Sequence, residues 1–149
     1  MDRSHDITVL NTLIATTLDS VKGYREAAED TKNPGHATFF REMAEERSRI
    51  AAELQQHVRS HGGEPEMESS TAGAVHRGWL DLKSAITGRD DEAVIKEVER
   101  GEDYLKGKYE AAMQDDELSA ECRGMIEQCF ASIRKGHDRA SAMKHSMAD

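Results

Sequence analysis

The sequence predicts an all-α fold: a bundle of four long helices, with a short helix in the crossover between the second and third of them. Apolar residues recur at alternating steps of three and four along most of the chain, the period of a helix that buries one face. Runs of β-branched residues are nearly absent, so a sheet has little to be built from. Both prolines fall at breaks in the periodic pattern, beside the Asn and Gly residues that start and stop helices.

The first helix is expected from Ser4, a plausible N-cap, to Asp30, with Ile7, Leu10, Ile14, Val21, Tyr24 and Ala28 on its apolar face and Thr17 in the one polar slot. Asn33-Pro34-Gly35 then supplies a turn, an N-cap and a proline at the first helical position. The second helix carries Phe39, Phe40, Met43, Ile50, Leu54 and Val58, and stops at Gly62-Gly63 with Pro65 beyond. A shorter third segment runs from about Ser70 to Thr87, with Trp79 as its packing anchor. Asp90 is positioned to cap a fourth segment, which continues to about Gln114 and buries Val94, Val98, Leu105, Tyr109 and Ala112. After Asp115-Asp116 the last helix presents Cys122, Ile126, Cys129, Phe130, Ile133 and Ala140. Two helical hairpins joined by one long connection is the connectivity of ferritin-like bundles. All 149 residues are read as one domain.

Composition excludes several classes of function. The net charge is −9, from 29 acidic and 20 basic residues, and no basic cluster stands out as a nucleic-acid face. No apolar run approaches the ~20 residues that span a bilayer, and the first residues lack the pattern of a secretory signal. Cys122 and Cys129 are two turns apart on one helical face, too far to pair with each other, and read as reduced thiols of a cytoplasmic protein. An oxidant-sensing role for them is the weakest of three readings, because Cys129 falls within the apolar stripe.

A di-iron bundle needs four carboxylates and two imidazoles at its centre: one Glu from each of two helices and Glu-x-x-His from each of the others. The inward positions here hold something else. Thr17 occupies the slot on the first helix, and Arg47 with Ile50 stands where Glu-x-x-His belongs on the second. Glu102 is inward on the fourth segment and His137 on the fifth, with Glu46 and Glu99 at the margins. The expectation is an Arg47–Glu102 ion pair with Thr17 and His137 completing hydrogen bonds, since guanidinium is permanently charged and grips a carboxylate with two bonds. The alternative is a reduced metal site held by Glu46, Glu102 and His137. Tyr24 and Tyr109 are placed to direct their hydroxyls to the same centre. His57 and His61, one turn apart with Glu53 a turn earlier, have zinc-ligand spacing, although such a pair at a helix end is more often incidental.

Several local patterns together resemble one bacterial family. They are Leu10-Asn11-x-Leu13, Glu46-Arg47 through Glu53-Leu54, and Gly62-Gly63-x-Pro65, then His76-Arg77-Gly78-Trp79-x-Asp81-Leu82-Lys83, and Gly101-Glu102-Asp103 followed by Tyr109. Over nearly the whole chain the sequence is similar to the ferritin-like domain-of-unknown-function family DUF2383. The resemblance implies a four-helix bundle, a loose link to bacterial stress responses, and no established activity. The combined expectation is a non-catalytic cytoplasmic bundle without a cofactor, iron or zinc being the alternative. It would act as a homo-oligomer, a dimer, or through a protein partner, with no nucleic acid and no membrane; Leu13 and Leu18 flank the first stripe as a second apolar edge.

Overall fold

The computed structural model describes residues 4–68, 86, 88 and 91–148. They form four helices, α1 (Ser4–Asp30), α2 (Pro34–Ser60), α3 (Asp91–Met113) and α4 (Ala120–Ala148), and no strand. Apart from Ile86, which is buried in the core, the expected crossover helix around Ser70 to Thr87, its Trp79, and the Asp90 cap lie outside the described residues.

Local chemistry sets the helix ends. The Asn33 side chain accepts hydrogen bonds from the Gly35 N–H (2.9 Å) and the His36 N–H (3.2 Å), satisfying two of the donors that a helix start leaves open, and Pro34 follows as the first helical residue. At the other end of α2, Gly62 takes φ 80°, and its N–H bonds the Arg59 carbonyl while the Gly63 N–H bonds that of Val58. Those two bonds are a Schellman cap, which needs a residue comfortable in the left-handed region. Asn11 then holds the outgoing chain to α1. Its amide donates to the Glu64 carbonyl (3.0 Å) and accepts from the Glu66 N–H (2.8 Å). The start of α4 is tied to α1 in a similar way: Asp6 accepts from the Ser119 N–H (3.0 Å) and hydroxyl (2.6 Å), and the Ser119 hydroxyl oxygen accepts from the Cys122 N–H.

Contacts between helices give the direction of each. His5, at the start of α1, meets Asp115 just after α3, and Tyr24 near the end of α1 meets Glu102 in the middle of α3. α1 and α3 are therefore antiparallel, as α1 and α2 must be across their three-residue turn. It follows that α2 and α3 run the same way. A short turn cannot connect parallel neighbours, so the long segment between them is required by the topology. α4 lies antiparallel to α2, bringing Arg139 to Glu42 (2.6 Å) and Glu121 to His61 (3.4 Å).

The core consists of two apolar clusters stacked along the bundle. One is centred on Leu10, Ile14, Leu54, Tyr109, Ile126 and Ile133, the other on Tyr24, Phe40, Met43, Val94 and Val98. Leu13 belongs to the first cluster and is only 2% exposed, so it serves this chain's own core rather than an outer edge; Leu18 remains half-buried. No described helix is long and apolar enough to cross a membrane.

Candidate functional site

Where the two apolar clusters meet, the interior is polar. Arg47 lies on α2 between Met43 and Ile50, and Glu102 on α3 between Val98 and Leu105; both are fully buried. The guanidinium is bidentate, with Arg47 Nη1 donating to Glu102 Oε2 (2.7 Å) and Nη2 to Oε1 (2.6 Å). Tyr24 donates its hydroxyl to the same Oε2 at 2.8 Å. The carboxylate thus receives three charge-assisted hydrogen bonds, which is what a buried charge needs to offset lost hydration.

Burial works against the charge on Arg47, but the Glu102 charge and hydrogen bonds outweigh it and hold the guanidinium's pKa above its ordinary value. Burial is also the main reason that the Tyr24 hydroxyl is pushed well above the usual phenol range, with the neighbouring Glu102 charge adding to it. Tyr24 is therefore a proton donor in this layer, held neutral.

Thr17 stands one step away. Its hydroxyl bonds the Leu13 carbonyl (2.7 Å) and lies 2.7 Å from the Tyr109 hydroxyl. A hydroxyl carries one proton, so with Thr17 donating to Leu13, Tyr109 donates to Thr17. Thr17 thereby satisfies Tyr109 rather than the ion pair.

His137 is placed differently from the sequence expectation. Its Nε2 lies 2.6 Å from Asp103 Oδ1 at the bundle surface, where the Asp103 side chain is 61% exposed. The residue that α4 turns toward the centre is Gly136. A Cβ built there would overlap Arg47 Nη2 and lie 2.9 Å from Met43 Cε, so the missing side chain is the space that the guanidinium fills. One helical step of about 100° from Gly136 carries His137 off that line. Sequence reasoning misses Gly136; its signal is a glycine in mid-helix, costly enough in propensity to call for a packing reason.

Glu46 is partly buried beside Arg47, to which it adds a small favourable field. Glu46, Glu102 and His137 are not brought to a common point. Among the described residues, two sets of side chains approach metal-ligand spacing: His57, His61 and Glu121, and His5, Asp115 and Glu117. Both are at the end of the bundle where α1 begins and α2 ends.

Cys122 and Cys129 are buried free thiols, and desolvation, with nearby carboxylates adding to it, pushes both up to about 12. Little thiolate exists at neutral pH, and the thiolate is the reactive form. A thiol reagent such as dithiobisnitrobenzoate should leave the native protein unreacted at pH 7.5 and titrate both cysteines once denaturant is added.

The sequence matches the family described as a domain of unknown function, DUF2383, over residues 5–115. The chain belongs to this family. The DUF2383 match takes in Thr17, Tyr24, Arg47, Glu102 and Tyr109, and ends in the turn before α4, short of Gly136 and His137. It is narrower than the near-complete resemblance expected from the sequence patterns. Among solved structures, the chain is similar to a conserved hypothetical protein, Rv2844, from Mycobacterium tuberculosis, with a TM-score of 0.72 over 96% of this chain and 99% of that one. Identity is 12%, so the likeness is one of fold. No curated protein matches the sequence.

Proposed function

We propose that this DUF2383 chain is a non-catalytic helical bundle of the bacterial cytoplasm, whose centre is held by a salt bridge where a ferritin-like protein holds iron. It acts by association, as a homodimer or with a protein partner, in a stress setting. The observation that carries the reading is the fully buried, bidentate Arg47–Glu102 pair. A fixed guanidinium repels a metal cation from the same space, and both Glu102 oxygens are already engaged. Association is supported by Leu18, half-buried on α1, and Met67, 59% exposed, which border one groove. A metal ion at Glu46, Glu102 and His137 has less behind it, because His137 is bonded to Asp103 instead.

The test is ferrous oxidation in air. Purified protein should oxidise added Fe2+ no faster than buffer, and should sediment as a dimer. A catalysed rate that disappears in Glu102→Gln would overturn the non-catalytic reading, and a monomer at all accessible concentrations would remove self-association.

A further inference from the structure

The end of α2 and the start of α4 form a second polar cluster, separate from the central layer. His57, in the last turn of α2, and His61, its C-cap, lie four residues apart, with ring centroids 4.3 Å apart at an interplanar angle of 63°. The Schellman cap that begins at Gly62 fixes the backbone immediately after His61. Glu121 arrives from the first turn of α4, whose start is held to α1 through Ser119 and Asp6, and its Oε1 lies 3.4 Å from His61 Nε2. One ligand atom from each of the three residues lies within 4.8 Å of the others.

We propose that His57, His61 and Glu121 bind one Zn2+ ion, bridging the end of the first hairpin to the start of the second. Zinc takes imidazole nitrogen and carboxylate oxygen at about 2.0–2.2 Å in a tetrahedron, which puts neighbouring ligand atoms about 3.3 Å apart. The His61–Glu121 separation is already at that value, and the two edges to His57, each within 4.8 Å, would close by side-chain rotation. A second observation points to a ligand. His57 Nε2 is buried and makes no hydrogen bond among the described residues. A buried ring nitrogen without a partner is costly, and coordination would satisfy it. The neighbouring His5 group differs on this point: His5 Nε2 is bonded to Asp115 at 2.8 Å, which already provides its partner. Two neutral imidazoles and one carboxylate would leave the fourth position to solvent and a local charge of about +1, easily accommodated in a chain of net charge −9.

The experiment is a Zn2+ titration of the full chain, free of any histidine tag, followed by calorimetry against a chelating competitor. One equivalent should bind, with affinity reduced on the order of tenfold or more in both His57→Gln and Glu121→Gln and unchanged in His5→Gln. Zinc should also raise the melting temperature of the parent chain and leave that of the two ligand variants nearly unmoved. The Glu121 side chain is 64% exposed, so Glu121→Gln has no reason to misfold, and far-UV circular dichroism of the metal-free variants checks this. Absence of stoichiometric binding, or equal affinity in the parent and both ligand variants, would overturn the site.

Discussion

Replacing Arg47 with leucine should lower the stability of the fold by about 3–5 kcal/mol, since it strands a buried carboxylate without its counter-charge. Glu102 would keep one donor, the Tyr24 hydroxyl, in place of three hydrogen bonds. Leucine roughly restores the lost apolar volume, so the loss reports the charge more than a cavity. For a chain of this size the corresponding fall in melting temperature is roughly 6–20 °C, read by thermal circular dichroism. A variant that melts with the parent would mean that the pair contributes nothing to holding the four helices together.

Gly136→Ala should also destabilise the protein, by about 1–3 kcal/mol, although alanine is the better helix former. The added methyl would occupy the position of Arg47 Nη2 and press on Met43 Cε. An exposed arginine would swing aside. Here the guanidinium is fixed by two bonds to Glu102 in a fully buried layer, and moving it breaks the layer. Gly107 and Gly124 provide the contrast. Both lie in helices where an added methyl would meet no described atom within 4 Å, so alanine at either should gain up to about 1 kcal/mol from propensity alone. Chemical denaturation of the three variants gives the signs. A stabilised Gly136→Ala would show that the guanidinium has room that the packing denies.

How far the sequence could be read depends on the kind of signal. The helix from Ser4 to Asp30 and the Asn33-Pro34 start of α2 are where periodicity and cap chemistry place them, because each is specified by residues close in sequence. The meeting of Arg47 with Glu102 was also legible, since a charged residue centred in an apolar stripe has to find its opposite on a facing helix. Rotation about the α4 axis was less so. The apolar stripe there is broad enough to admit either Gly136 or His137 as the inward residue, and only the proximity of Arg47 decides for glycine. Leu13 shows the same difficulty: at the edge of a stripe drawn for a single neighbour, it is buried because α1 packs on both α2 and α3. The Asp6–Ser119 tie joins residues far apart in sequence, and nothing local announces it.

The central claim is that a salt bridge holds the centre of this bundle, and a double-mutant cycle on Arg47 and Glu102 tests it most directly. Arg47→Leu and Glu102→Leu should each be strongly destabilising, whereas the double variant, with an apolar layer in place of the pair, should recover to within about 1–2 kcal/mol of the parent. With single losses of about 3–5 kcal/mol each, the interaction energy from the cycle would then be about 4–9 kcal/mol. Two small, additive losses would contradict the account, because the pair would then be a passenger in a core that holds together without it.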